Sequence, residues 1–374
     1  MKPFLLLMVV LLLPDGAAAQ MRGTEAPRDA LDGLDPVLLV QGKEVEGKSA
    51  FTTVHGSFTY LFSTAETKAA FLREPAKYEI QLSGLCARMG KTTGANPADY
   101  VVHQGKIYIF GSDECHRRFV ANPEKYLPPA RATIATSKAS LAKGRQLLDE
   151  AANAVGDPKK LDAMTTYVET FSQVQKRPMG EANVTTRTIW SFPARFRQER
   201  SMSMSGKTMS SSTVLSPDGL WFVGGGGQVY PMPAAGRDSL ERDFGRHPLV
   251  LLKARKSAGT TAAFAGRSRV DGTDVDQVRI TKGGIDVMLN LDAQRRVHSV
   301  AFTDRNADGV YGAYTILYSD YRAVEGLTLP HSVRALFDGE PDSLQSWTVD
   351  SIAVNTPVDA SLFAPKTPAR AEHK

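Results

Sequence analysis

The sequence predicts an α+β protein: a small α+β domain followed by a curled antiparallel β half-barrel that takes helices on its concave face. Three observations carry this. Residues 35–129 contain an internal repeat, residues from Met164 onward alternate apolar and polar with period two, and helical spacing occurs over 133–153, before that alternation, and over 238–256, within it. A long antiparallel sheet must cover one apolar face, and curling around its helices does so.

At the N-terminus, Lys2 precedes an apolar run from Phe4 to Leu13, then Pro14, Asp15, Gly16 and the small residues Ala17, Ala18 and Ala19. This reads as a signal peptide over 1–19, cleaved after Ala19. The run is about half the roughly twenty residues a bilayer requires, so no transmembrane anchor is expected. No cysteine adjoins the cleavage site to accept a lipid, and a freely released periplasmic or secreted product is expected. Residues 20–34 combine Gly, Pro and charge without periodicity and read as a flexible arm, with folding expected to begin near Asp35.

The repeat appears when the chain is slid by 48 positions, aligning YLFSTAETKAAFLREPAKY (60–78) with YIFGSDECHRRFVANPEKY (108–126). Each copy predicts a short aromatic strand, a Ser/Thr turn able to cap a helix, a short helix, and a Pro that stops it. One such unit buries little surface alone, so the two are expected to pack together as one domain over 35–129.

Beyond Pro129, TIATSKASLAKGRQLLDEAAN (133–153) places Leu141, Leu147, Leu148 and Ala152 at helical spacing. Thirteen strand candidates follow, from TTYVETFSQV (165–174) to SWTVDSIAV (346–354), punctuated by Gly, Asp, Asn and Pro turns. The GGGG run at 224–227 lies between two of them and reads as a hairpin turn. The stretch DSLERDFGRHPLVLLKARK (238–256) reads as a helix within the meander.

Tyr-x-Phe-x-Ser, a helical Phe and Pro-x-Lys-Tyr, together with DPVLLVQGKEV (35–45) and SGLCARMGKTTGANPADYVVHQGKIYIF (83–110), resemble exported proteins with a double YHS domain. The later region, over 133–368, resembles the outer-membrane lipoprotein-carrier (LolA-like) folds, on SFPARFRQE (191–199), DGLWFV (218–223), YSDYRAVEGLTLPHSV (318–333) and VNTPVDASLFAPKTP (354–368). These motifs mark packing and turns, so what the second resemblance implies is a half-barrel that binds a lipid or lipidated partner.

Only two cysteines exist, Cys86 and Cys115. Outside the cytoplasm such a pair forms a disulfide or contributes to a metal site. In the YHS resemblance, Cys86 and Cys115 take the first and last of three ligand places and Gly111 the middle one, while Leu38, Ser63 and Thr67 fill them in the first copy. Two thiolates are too few for structural zinc but suit copper as Cu(I) or another soft metal ion, with Met89, His103 or His116 as a third donor. No motif requires a cofactor. The string Ser112-Asp113-Glu114-Cys115-His116 lacks the first thiol of a haem attachment site, and DRNADG (304–309) opens like a calcium loop but has Thr315 in place of the closing acid.

No nucleophile elbow, zinc-protease motif or phosphate-binding Gly loop occurs, which points away from an enzyme. The net charge of +5 is dispersed, and the small cluster Arg195, Arg197, Arg200 reads as a solvated strand face, which argues against nucleic acid. Val287, Leu289, Trp190, Phe192 and one of Trp221 and Phe222 form the candidate ligand-binding lining of the concave face, set against a closed core built of the same residues. The sequence thus predicts a non-enzymatic envelope binding protein. The alternative is a metal or redox sensor or metal-delivery module with the half-barrel as docking scaffold.

Overall fold

The computed structural model describes residues 27–90, 95–129, 136–177, 180–232 and 234–364, so the signal-peptide reading lies outside the described residues. The chain divides into two compact units. Among the described residues, the first holds 27–129 and Arg305–Tyr311, and the second holds 136–304 and 312–364.

The first unit is built twice over. Strand β1 (Arg28–Asp29) pairs parallel with β3 (Phe58–Phe62), which pairs antiparallel with β2 (Lys48–His55). Helices α1 (Pro36–Leu39), α2 (Ala65–Arg73) and α3 (Pro75–Tyr78) complete the first copy. The second holds β4 (Asn96–His103), β5 (Lys106–Phe110), α4 (Asp113–Ala121) and a 3-10 turn over Pro123–Tyr126. Thr64 and Ser112 cap α2 and α4, each accepting the backbone N–H three residues on. Phe71 and Phe119 are fully buried at matching places, and both copies share one core.

Two expectations are corrected here. The flexible arm does not reach Asp35: Arg28 and Asp29 are in β1, and Ala30 and Leu31 are fully buried, because those groups complete the sheet and core of the first copy. Nor is Leu38 the counterpart of Cys86. Leu31, Asp32 and Gly33 have φ of 56°, 53° and 83°, and Leu82, Ser83 and Gly84 have 56°, 53° and 78°. ALDGLD (30–35) therefore superposes in conformation on QLSGLC (81–86), which makes Asp35 the equivalent of Cys86.

The second unit has one antiparallel sheet of thirteen strands. In chain order they are β6 (Thr166–Arg177), β7 (Gly180–Ser191), β8 (Arg195–Met204), β9 (Lys207–Ser216), β10 (Gly219–Val223), β11 (Val229–Pro231), β12 (Thr261–Val270), β13 (Thr273–Lys282), β14 (Ile285–Leu291), β15 (Val297–Arg305), β16 (Tyr311–Val324), β17 (Leu327–Phe337) and β18 (Glu340–Val354). The ladder runs from β11 back through β6, then β18 down to β12, leaving β11 and β12 as its two ends. The sheet is therefore open. The GGGG run makes the β10–β11 turn, where Gly224 N–H donates to the Gln228 carbonyl.

Among the described residues, this unit has the α-helices α5 (Lys138–Val155), α6 (Pro158–Ala163), α7 (Ala234–Gly245) and α8 (Pro248–Lys253). The single helix expected over 238–256 is broken in two, because Pro248 cannot continue α7 and starts α8, capped by His247 Nδ1, which accepts the Leu249 N–H. One core cluster joins Leu147, Leu148 and Ala151 of α5, Leu161 of α6 and Leu251 and Leu252 of α8 to Tyr167, Val278, Val287, Leu289 and Val300 of the sheet. Complete burial of a Leu side chain contributes about 1.5–3 kcal/mol, so the helices hold this face shut.

A buried carboxyl lies among these strands. Tyr167 Oη donates to Glu169 Oε2 at 2.6 Å and Trp347 Nε1 to Oε1 at 3.3 Å. Burial raises the Glu169 carboxyl above its ordinary 4.5, more than the two donors lower it. An acid whose folded-state pKa exceeds its unfolded one stabilises fully below the unfolded value and loses that contribution as pH rises through the folded one. The urea midpoint of the wild type is thus expected to fall as pH rises above about 4.5, and Glu169→Gln to remove most of that slope. An unchanged slope in the variant would assign the pH dependence to another group.

Candidate functional site

In the first unit, Cys86 follows the tight turn Leu82–Gly84 and bridges in parallel to Ile109 of β5, and Cys115 lies in the first turn of α4. This brings the two sulfurs together as thiols, Cys86 fully buried and Cys115 6 % exposed. They share a hydrogen bond, and the backbone N–H groups of Met89 and Gly111 also point at the Cys86 sulfur. Arg88 Nη1 stands 3.8 Å from Cys115 Sγ and 3.0 Å from Met89 Sδ.

The hydrogen bond from Cys86, then Ser112 and Arg88, hold the Cys115 thiol down to about 5 against the opposing effect of burial. The same hydrogen bond and burial push Cys86 up. The pair thus gives up one proton readily and keeps the second, and the two titrate as a unit.

The first copy shows what this pocket is built to hold. There Asp35 Oδ1 accepts the N–H groups of Val37 (3.0 Å) and Leu38 (3.3 Å), and Oδ2 accepts Ser63 N–H and Oγ–H, both at 2.8 Å. Leu38 stands three residues after Asp35 as Met89 does after Cys86, and Ser63 matches Gly111 in the repeat. The Cys86 sulfur therefore occupies a nest of backbone donors that holds a carboxyl group in the other copy.

These surroundings do not fit a metal ion. His116 Nδ1 is paired with Asp99 and its ring is stacked on Phe110, and His103 Nε2 lies 3.3 Å from Glu124 with its ring edge-on to Phe119. Met89 is in contact with Arg88, whose fixed positive charge stands beside the sulfurs where a soft cation would sit. Among the described residues no group of three His, Cys, Asp or Glu side chains converges. Of the three third donors expected beside Cys86 and Cys115, His103 and His116 are held by carboxyl groups. Met89 does lie near the cysteines, its sulfur and that of Cys115 both meeting Arg88 Nη1 while Cys86 is hydrogen-bonded to Cys115. The missed participant was Arg88, and its signal in the sequence was its place two residues after Cys86.

In the second unit the expected ligand lining is divided. Val287 and Leu289 are 2 % and 0 % exposed inside the core that α5, α6 and α8 close, so they line no opening. Trp190 and Phe192 stand at the edge of that core, half-buried. Trp221 faces the other way: Val168, Ile189, Val214, Leu362 and Phe363 surround it on the opposite face of the sheet. Phe222, next along β10, shares the face of Leu220 and lies 6.4 Å from Tyr230, ring to ring. The basic cluster divides too, since Arg200 is buried and donates to Gln175 while Arg197 pairs with Glu199.

A continuous aromatic wall remains on the helix-bearing face. Trp190 meets Tyr167 at 5.1 Å, Phe196 at 5.6 Å, Phe244 at 6.4 Å and His247 at 5.1 Å between ring centres. Leu215, Leu220 and Met232 continue it, and Leu240 and Phe244 of α7 pack onto it. Helix α7 covers this wall, but the seam carries two buried polar atoms with no hydrogen-bond partner among the described residues, Trp190 Nε1 and Ser239 Oγ. Burial without any partner for a charge moves His247 down to about 4, so its ring is neutral near physiological pH.

Two further features carry no site. The DRNADG segment is a turn in which Asn306 Oδ1 accepts the N–H groups of Asp308 and Val310. A recess of about 410 Å³ beside the β14–β15 turn is walled by groups that bond one another, such as Asp292 with Arg296 and Tyr321 with the Val297 carbonyl.

No family model matches the chain. No curated protein matches it. Among solved structures, it is similar to a domain from Vibrio parahaemolyticus described as an outer membrane lipoprotein-sorting protein, at 12 % identity and a TM-score of 0.38 over 60 % of this chain and 97 % of that one. A DUF1329 family protein from Desulfovibrio piger gives 11 % identity and a TM-score of 0.40 over 61 % and 99 %. A LolA superfamily protein from Nitrosomonas europaea gives 12 % and 0.37 over 62 % and 98 %.

Proposed function

We propose that this chain is a non-enzymatic binding protein of the cell envelope, exported by the signal peptide read in residues 1–19, and that the wall around Trp190 receives an acyl chain or a lipidated partner when α7 lifts away. The observation that carries this is the seam under α7. An apolar wall of aromatic and aliphatic side chains is covered by one helix, and the buried Trp190 Nε1 and Ser239 Oγ have no hydrogen-bond partner among the described residues. Each such atom costs about 1–3 kcal/mol, which weakens the hold of α7 on the wall.

An acyl chain entering beneath α7 replaces Leu240 and Phe244 against the wall, and an ester carbonyl at its head supplies an acceptor for Trp190 Nε1. The N-terminal unit we read as YHS-like on its repeated motif. A metal-delivery role for it has less support, since Arg88 stands beside the thiols and both histidines are bound to carboxyl groups.

Native mass spectrometry of the mature protein purified from an envelope fraction tests the reading. A copurified lipid mass is expected, and Trp190→Ala combined with Phe196→Ala is expected to reduce its occupancy at least about tenfold, the equivalent of about 1.4 kcal/mol. Equal occupancy in wild type and variant would place the lipid elsewhere, and a lipid-free wild type that also takes up none on addition would refute the reading.

A further inference from the structure

We propose that Cys86 and Cys115 form a redox-active dithiol that a small hydroperoxide oxidises to a disulfide, with Cys115 as the attacking sulfur and Cys86 as the resolving one. The placement of four groups carries this. Cys115 is in the first turn of a nine-residue helix capped by Ser112. Cys86 is hydrogen-bonded to it and held from behind by the Met89 and Gly111 N–H groups, in the nest that holds Asp35 in the first copy. Arg88 stands beside Cys115, and its Nε–H is buried with no hydrogen-bond partner among the described residues. That donor is free to accept a peroxide oxygen as a partner. Near this cluster stand also the Tyr126 hydroxyl, which meets the Arg88 guanidinium, the Arg305 guanidinium, which donates to the Tyr126 carbonyl, and the partly exposed Met89.

The chemistry balances within these groups and the oxidant. The Cys115 thiolate attacks the terminal oxygen of the hydroperoxide, forming an S–O bond as the O–O bond breaks. The leaving alkoxide, or hydroxide from hydrogen peroxide, takes a proton from water, and Cys115 becomes a sulfenic acid. The Cys86 sulfur then attacks Cys115, forming the S–S bond as the S–O bond breaks, and the Cys86 proton leaves with the oxygen as water. Two electrons pass from the two sulfurs to the O–O bond. Because Cys115 is 6 % exposed and Cys86 fully buried, a water-sized oxidant reaches the pair where a bulky disulfide does not.

The test uses the full mature protein, reduced and then freed of reductant under inert gas, with one equivalent of hydrogen peroxide. Expected is the loss of two hydrogens in mass and of both titratable thiols, with neither change in Cys86→Ser or Cys115→Ser. The rate in the wild type is expected to level off not far above pH 5, rather than to climb about tenfold per pH unit toward pH 9 as for an unassisted thiol. Arg88→Met is expected to slow the reaction at least about tenfold near neutral pH and to move the levelling point upward. Retention of both thiols, oxidation of Cys115 to the sulfinic acid without a disulfide, or a wild-type rate still climbing at pH 9 would each overturn the proposal, with no reliance on how any variant folds.

Discussion

Phe119→Ala is expected to destabilise the N-terminal unit by about 3–5 kcal/mol, as for other fully buried Phe side chains cut back to Ala. Phe119 has no exposed surface, and its ring meets Tyr108 and Phe110 at 5.3 Å, His103 at 6.0 Å and Tyr126 at 6.5 Å. These rings belong to β4, β5 and the turn after α4, so one side chain holds α4 against both strands and the closing turn. No neighbour can fill the space without leaving its own contacts. Phe71 occupies the same place in the first copy, meeting Tyr60 at 4.8 Å and Phe62 at 5.3 Å, and Phe71→Ala is expected to cost a similar amount. Urea unfolding followed by near-ultraviolet circular dichroism checks both. A loss under about 1 kcal/mol at Phe119 would mean that the duplicated core does not depend on its central ring.

Gly144→Ala is expected to destabilise the second unit, with a sign that opposes local propensity. Within a helix, Ala is favoured over Gly by about 1 kcal/mol. A Cβ at Gly144, however, would stand 2.6 Å from the Ala262 carbonyl oxygen, with the Ala262 and Ala263 carbonyl carbons at 2.7 and 2.8 Å. These are backbone atoms of β12 and cannot swing aside as a side-chain tip does. Helix α5 must move off the edge strand it covers, and the net loss is expected to be about 1–3 kcal/mol. The urea midpoint of the variant settles the sign; a stabilised variant would show that α5 and β12 are farther apart than described.

The two cases differ in how visible they were in the chain. Phe119 was legible as far as the repeat went, which paired it with Phe71 in a short helix of each copy. Gly144 was not, since a glycine in a helical pattern does not reveal which backbone lies against it. The β-rich half was legible strand by strand, as alternation and turn residues are local signals, and the GGGG turn emerged where those signals put it.

The faces of the strands were harder to read. Trp221 and Phe222 are adjacent, so one had to point each way, but only the pairing of β10 with β9 decides which. Val287 and Leu289 were correctly placed on one apolar face, yet whether helices fill that face depends on where α5 and α8 dock, and α6 left too little periodicity to be seen. The meeting of Cys86 with Cys115 followed from the repeat. The role of Asp35 did not, because the two copies differ by three residues in the segment after it, and one fixed offset of 48 set Leu38 opposite Cys86 instead.

Of the groups around the thiols, Arg88 changed the chemical expectation most. A sequence shows soft donors by residue type, and two thiols with nearby Met and His side chains suggest a cation. The structure adds a guanidinium beside the sulfurs and carboxyl partners for both histidines, which favours an anionic dithiol over a bound metal.

The wall around Trp190 is tested most directly by contact quenching. In a chain carrying Trp221→Phe and Trp347→Phe, Trp190 is the one remaining indole. Titration with a phospholipid brominated along its acyl chain is expected to quench its emission, with an unbrominated lipid of the same headgroup producing no loss of intensity. Undiminished emission at saturating brominated lipid, in a protein shown by mass spectrometry to hold that lipid, would contradict the placement of the acyl chain beneath α7.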